Sequence, residues 1–214
     1  MSPEREPFFR APWPPILIAG GIVALFAVQS LFSVDAVAEA YGFSSAALQQ
    51  GRCGALVTAL FVHGSWTHVL VNAASALAFG APTARYLGLT RSGVAGFFLF
   101  YLACGVLANL GYGLLHPGEA NPVVGASGAI SGLMGAAARL IASRGERLGA
   151  LTSRDVIGMS VALLIVNLLF AAFGAPGTGG APIAWEAHLI GFGAGLLGIG
   201  LVARLFRRVE TVTD

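Results

Sequence analysis

The chain has 214 residues, of which 56% are hydrophobic, only 10% are charged and 30 are glycine, with a formal net charge of +2. Because soluble domains carry about 25% charged residues, this composition excludes an ordinary soluble globular protein. The small positive charge gives no reason to expect nucleic acid as a partner, since membrane topology accounts for the arginines.

Six apolar stretches approach or exceed the length of about 20 residues that a helix needs to cross a bilayer. In chain order they are Ile16–Val34, Trp66–Ala84, Ser92–Leu115, Ala126–Ile141, Val156–Phe173 and Ile183–Phe206, the fourth being the shortest. We therefore predict an all-α integral membrane protein. It would have a short tail at residues 1–15, one bundle of six transmembrane helices at 16–206, and a second tail at 207–214.

The basic residues, all of them arginine, predict the orientation in the membrane. Eleven fall on one side of a six-span arrangement: Arg5, Arg10, Arg85, Arg91, Arg139, Arg144, Arg147, Arg154, Arg204, Arg207 and Arg208. Only Arg52 falls on the other side. Since positive residues concentrate in cytoplasmic loops, both termini are expected to be cytoplasmic. The run Ala36-Val37-Ala38 leaves open a cleaved signal peptide, but the charge-balanced tail and the long apolar run favour a retained first span.

Four polar residues from three predicted spans fall at the same, external end of the bundle. Ser127 begins the fourth span and His188 lies near the start of the sixth. His68 and Asn72 lie in the first turns of the second span, one helical turn apart and therefore on one face. Polar side chains inside a membrane are costly and are candidates for function, so their shared depth indicates a site.

Each polar residue also has a purely structural interpretation. A lone serine in a membrane helix commonly bonds to a carbonyl of the preceding turn. His68 and Asn72 could form a polar clamp between helices. Asn109 and Asn167, in the third and fifth spans, are interpreted only as such clamps.

Glycine spacing predicts a close crossing of the fourth and sixth spans. Gly128 and Gly132 are four residues apart, as are Gly191 and Gly195, and small residues at this spacing let helix backbones approach closely. A serine oxygen and an imidazole nitrogen must come within about 2.6–3.2 Å for proton transfer. The crossing would permit that distance, although the same glycines could serve dense packing alone.

These residues are typical of nucleophilic hydrolysis. Ser127 is the candidate nucleophile and His188 the candidate base, a dyad because no aspartate lies in a span to orient the histidine. A third, orienting group is not visible in the sequence. Candidate donors to the developing oxyanion are the Ser127 amide, freed where the helix starts, the Asn72 side chain and His68.

Other chemistries lack the residues that they require. The chain has no His-Glu-x-x-His zinc motif, no aspartate pair within the spans, and no lysine for a nucleotide-binding loop. The sequence therefore predicts neither a metal nor a cofactor.

Three ordered motifs resemble the signatures of rhomboid intramembrane serine proteases. They are Gly125-Ala-Ser127-Gly128-Ala-Ile, Ala187-His188-Leu-Ile-Gly191 and His68-Val-Leu-Val-Asn72, preceded by Leu56-Val-Thr-Ala-Leu-Phe-Val-His63-Gly. The resemblance runs from about Gly51 to Gly200. It implies the six-helix core of that family, a Ser127 nucleophile, a His188 base, and oxyanion binding by His68, Asn72 and the Ser127 amide.

The resemblance also implies what the protein would act on. Its substrates would be single-pass membrane proteins cut in or beside their transmembrane helix, with the fifth span and the loop before the sixth controlling access. Partners would then be these substrates and the lipid bilayer. We expect a multi-pass protein of the bacterial cytoplasmic membrane with its active site facing the external side.

The chain departs from the family pattern at two places. An aromatic residue that packs on the histidine often lies one turn after the nucleophile, where this chain has Ser131. A Trp-Arg pair is frequent before the equivalent of Thr58, where this chain has Gly54-Ala55. Neither change removes a catalytic group, so the alternatives are less favoured. These are a catalytically silent homologue that binds membrane clients, and a channel or transporter, which would place charges along a pore.

Overall fold

A computed structural model describes residues 11–143, 148–175 and 183–207. The described chain forms nine α-helices: α1 (Trp13–Gln29), α2 (Val34–Tyr41), α3 (Ser45–Gln49), α4 (Ala55–Thr58), α5 (Trp66–Leu87), α6 (Arg91–Leu115), α7 (Ser127–Ile141), α8 (Arg154–Phe173) and α9 (Trp185–Phe206). A single 3-10 turn, Ala59–Phe61, follows α4. The prediction of an all-helical protein is therefore confirmed for the described residues.

The helix starts follow from local capping chemistry. A serine or threonine side chain accepts a bond from the backbone amide three residues later at the start of five helices, and these residues are Ser33, Ser44, Ser65, Thr90 and Ser153. Such a cap satisfies one of the amides that a helix start leaves unpaired. α7 is different, because its preceding residue, Ala126, offers no side-chain cap.

The first helix ends earlier than its apolar run suggests. The apolar run predicts a span over Ile16–Val34, but α1 ends at Gln29. The Ser30 hydroxyl donates to the Ala27 carbonyl, and the Ser33 hydroxyl accepts from the Ala36 amide to begin α2. Local serine bonds thus redirect the chain into a connection of short helices, α2 to α4, that the sequence did not predict.

Among the described residues, three helices are both long and apolar enough to cross a membrane: α6, α8 and α9. α1 and α7 are shorter apolar helices of 17 and 15 residues. α5 has 22 residues but contains Pro82 and Arg85. Of the residues used to predict orientation, Arg5, Arg10, Arg144, Arg147 and Arg208 lie outside the described residues, as do most of both predicted tails.

α7 is the central helix of the bundle. Ten of its fifteen residues are buried, and it packs on α9, α6 and α5. At the far end of the bundle, the guanidinium of Arg207, just after α9, lies 4.7 Å from the ring centre of Tyr86 near the end of α5. Ser127 and His188 therefore lie at the opposite end from these arginine-bearing helix ends.

α8 is the least enclosed of the long helices. Its buried residues are only Val156, Leu163 and Asn167, which form one narrow stripe along its length. A few of its other residues are partly buried, among them Met159, and the rest are exposed with a mostly apolar surface. One member of this stripe, Asn167, contacts a side chain of the candidate active site.

Candidate active site

Ser127 is held in place by the chain that leads into α7. A pair of backbone bonds joins Phe43 to Val123, with N–O distances of 2.9 and 2.7 Å. Two residues later, the Gly125 amide donates to the Ala59 carbonyl at 2.9 Å. The connection between α1 and α5 thus supports the segment that presents Ser127.

Gly125 provides the space in which the candidate residues meet. Its φ of +123° is a backbone conformation that other residues rarely adopt. A Cβ atom there would lie 2.7 Å from His68 Nε2 and 3.8 Å from Ser127 Oγ. Only glycine therefore lets the His68 ring lie this close to the chain that carries Ser127.

Ser127 is the first residue of α7. The first amides of a helix have no carbonyl partner within the helix, and the helix dipole makes this end favourable for negative charge. The absence of a capping side chain at Ala126 keeps those amides free of a side-chain acceptor. The start of α7 is thus suited to stabilise an oxyanion beside the Ser127 hydroxyl.

α9 crosses α7 with almost no space between the two backbones. A Cβ atom added to Gly191 would overlap the Gly128 carbonyl, and one added to Gly195 would overlap the Gly132 carbonyl. Gly128 also faces the other neighbour of α7, since a Cβ there would lie 2.7 Å from the Cβ of Ala108 on α6. Glycine on both helices therefore lets α7 lie between α6 and α9.

This crossing brings Ser127 and His188 together. The Ser127 Oγ lies 2.7 Å from His188 Nε2, within the range that proton transfer requires. The two residues are 61 positions apart in sequence and come from two different helices. The geometry is what a serine nucleophile and a histidine base need.

A third residue contacts the histidine, one that the sequence analysis interprets only as a polar clamp between helices. Asn167 Oδ1 on α8 lies 2.7 Å from His188 Nδ1, and Asn167 Nδ2 donates to the Leu163 carbonyl at 2.8 Å. The interpretation of Asn167 as a polar clamp is thus incomplete, because its partner is the candidate base. The one sequence signal was its position, as an amide in an otherwise apolar part of α8.

His68 and Asn72 are one helical turn apart on α5. Asn72 Nδ2 donates to the His68 carbonyl at 3.1 Å, which leaves its second N–H free to bind a substrate oxygen. Asn72 and Ser127 line one open cleft of about 150 Å³ between α5, α7 and α8. Ser131, the residue that replaces the family aromatic, also lines this cleft.

His63 supports the site from the connection before α5. Gln29 Nε2 donates to the His63 carbonyl at 2.6 Å, and the His63 amide donates to Gln29 Oε1 at 3.1 Å. Burial, together with the nearby His68, lowers the pKa of His63 to about 3. The His63 ring therefore stays neutral, and it packs edge-on against the His68 ring with centroids 5.0 Å apart.

No group of three or more histidine, cysteine, aspartate or glutamate side chains that could hold a metal occurs within the described ranges. Access is predicted to be controlled by the fifth span and the loop before the sixth, and most of that loop, residues 176–182, lies outside the described residues.

The fold and the site together define a helical membrane protein with a serine and a histidine paired at the start of two crossing helices. The family model of the Rhomboid domain matches residues 50–205, so the chain belongs to the rhomboid family. It is similar to a protein of Bacillus subtilis (strain 168) named "Putative rhomboid protease YdcA", with 29% identity over 147 residues. That match covers 69% of this chain and 66% of the relative, just under two thirds of its length.

Proposed function

We propose that the protein is an intramembrane serine endopeptidase that cuts peptide bonds in or next to transmembrane segments of membrane proteins. The observation that carries this proposal is the distance of 2.7 Å between Ser127 Oγ and His188 Nε2 within a rhomboid domain. The same geometry does not favour the alternative of a catalytically silent protein that only binds clients, since such a protein has no need of an aligned base.

In the proposed reaction Ser127 Oγ attacks the carbonyl carbon of the substrate while His188 Nε2 takes the hydroxyl proton. The carbonyl oxygen becomes an oxyanion, which the Ser127 amide, the free N–H of Asn72 and His68 stabilise. His188 then gives its proton to the leaving amine, and the C–N bond breaks to leave an acyl-enzyme. Water attacks the ester with His188 again as base, which releases the acid and restores Ser127.

The cleft between α5, α7 and α8 is the proposed path for the substrate. It reaches Ser127, and its lining is mainly apolar, as suits the side chains of a single-pass transmembrane helix. Peptide bonds inside a stable helix are shielded by their own hydrogen bonds, so we expect substrates whose helix is weakened near the cut site.

We further propose a six-span topology with both termini cytoplasmic and the active site near the external face of a bacterial cytoplasmic membrane. The spans would be α1, α5, α6, α7, α8 and α9. The separation of Ser127 and His188 from the arginines at the far end of α5 and α9 supports this orientation.

The test is cleavage of a fluorogenic single-pass substrate by purified protein in proteoliposomes. Ser127→Ala and His188→Ala should both abolish cleavage, with folding monitored by thermal unfolding. Asn72→Ala should lower kcat by roughly 10²–10³ with little change in KM, as expected for a lost oxyanion donor. Cleavage by Ser127→Ala at the wild-type rate would overturn the proposed function.

A further inference from the structure

We infer that Asn167 is the positioning residue of the candidate base: it fixes both the orientation and the tautomer of His188 from the neighbouring helix α8. The inference rests on the proposed function, because it assigns a role in that same reaction. It adds a third member, a neutral amide, to the pair formed by Ser127 and His188.

The orientation of the Asn167 amide follows from its two partners. One end of the amide faces the Leu163 carbonyl at 2.8 Å, and the other faces His188 Nδ1 at 2.7 Å. A carbonyl only accepts hydrogen bonds, so the end that faces Leu163 must be the NH₂ group. The Asn167 oxygen therefore faces the histidine and can only accept.

The orientation of the Asn167 amide determines which nitrogen of the His188 ring carries the proton. Because Asn167 Oδ1 only accepts, His188 Nδ1 must carry the proton. In the neutral ring Nε2 then holds the lone pair, and Nε2 is the atom that lies 2.7 Å from Ser127 Oγ. A single buried amide thus selects the one tautomer that can take the serine proton.

No other directional contact holds the ring within the described chain. Its two nitrogen atoms contact only Asn167 and Ser127, and none of the close ring pairs among the described residues includes His188. Ser131 is too small to stack on an imidazole. Asn167 therefore supplies by hydrogen bonding the restraint on ring rotation that an aromatic neighbour would supply by packing.

A neutral amide suits this location better than a carboxylate. Asn167 is 2% exposed, and an ionised side chain at membrane depth would carry a large desolvation cost. The amide meets no such cost, because its oxygen and one N–H are both paired. It therefore orients the base without placing a charge in the bundle.

The experiment compares kcat, KM and the rate at which a fluorophosphonate labels Ser127 across three variants in proteoliposomes. Asn167→Leu keeps a similar volume but offers no acceptor. Asn167→Asp keeps an acceptor oxygen in the same place and, when protonated, can also donate to the Leu163 carbonyl. Ser160→Ala is the matched control, since it removes a hydroxyl that bonds only to the Val156 carbonyl within α8.

We expect Asn167→Leu to lower kcat and the labelling rate together by about 10- to 10²-fold, the range expected for a displaced catalytic group, with KM within about twofold. Asn167→Asp should recover most of this loss, and Ser160→Ala should behave as wild type. Rates are normalised to folded protein, and Asn167→Ala makes the same test where Asn167→Leu yields too little of it.

Two results would overturn the inference while leaving the proposed function intact. One is a wild-type kcat for Asn167→Leu in an assay where Ser127→Ala is inactive. The other is a raised KM with kcat and the labelling rate unchanged, which would make Asn167 a residue of substrate access. Cleavage by Ser127→Ala in the same assay would instead contradict the proposed function itself.

Discussion

At the scale of single residues, the geometry of the site depends on the lack of a side chain at Gly125 as well as on the polar side chains. Gly125 has a φ of +123°, and its hydrogen in place of a side chain leaves room for the His68 ring. A methyl group at this position would have to displace either that ring or the chain that presents Ser127. Glycine is thus required at position 125 for two reasons, the positive φ and the close approach of the His68 ring.

Gly125→Ala should therefore lower the rate of substrate cleavage by at least about 10-fold, since misplacement by about 1 Å can cost about 10²-fold. The matched control is Gly118→Ala, because Gly118 also has a positive φ, +79°, but a Cβ there would meet nothing within 4 Å. Both changes strain the backbone, and only the first reaches the site. Equal activity of the two variants would show that the reaction does not need the space that Gly125 leaves beside the His68 ring.

Ser127 and His188 could be predicted from the sequence because each is a polar residue at the start of an apolar run. The predicted topology also places both at the same depth in the membrane. The hydrogen bond between Asn167 and His188 could not be predicted from the sequence, since that contact depends on how α8 is rotated about its axis. Few polar residues on α8 mark the buried face, and its stripe of three buried residues is visible only once the helix is packed. The orienting group was thus missed for a physical reason.

At the scale of helices, the distance between α7 and α9 decides whether the two residues meet. A Cβ on Gly191 would overlap the backbone carbonyl of Gly128, and a backbone atom cannot turn aside as a flexible side chain can. Overpacking of this kind typically costs about 1–3 kcal/mol. The helices would have to separate, and the separation would be felt directly at Ser127 and His188.

We therefore expect Gly191→Ala to lower the unfolding temperature and to reduce cleavage by about 10²-fold. Gly193→Ala is the matched control two residues away, where a Cβ would meet nothing within 4 Å. That change should leave cleavage intact and raise helix stability by roughly 0.5–1 kcal/mol. Full activity in Gly191→Ala would mean that the close crossing is not needed for the reaction.

The bounds of the long helices could largely be read from the apolar runs, and those of the connecting segment could not. α6, α8 and α9 begin and end within a few residues of their predicted limits. The end of α1 at Gln29 and the short helices α2 to α4 instead depend on local serine bonds and caps. Hydropathy is insensitive to such bonds, because a serine inside an apolar run hardly changes its average.

At the scale of the whole molecule, the bundle has two different ends. The start of α7 and of α9 carries Ser127 and His188, whereas the opposite end brings the guanidinium of Arg207 to Tyr86. If this polarity matches that of the membrane, the first end faces outward. The connection between α1 and α5 then lies on the external side.

The two native cysteines allow this orientation to be measured. Cys53 is exposed in the connection before α4, and Cys104 is buried within α6. In intact cells a membrane-impermeant maleimide should label Cys53, and Cys53→Ser should abolish the labelling. In that background, Leu89→Cys, at an exposed position between α5 and α6, should react only after the membrane is permeabilised. The reverse pattern would invert the proposed topology.

The sparse packing of α8 has a consequence for how the helix bundle depends on its surroundings. This helix has only three buried residues, and one of them is the amide that holds the imidazole. In the proposed membrane topology, lipid acyl chains would cover most of the rest of this helix. In the proposed reaction, bilayer thickness and fluidity would then change turnover. A shift of α8 in the bilayer would move the Asn167 amide and with it the His188 ring.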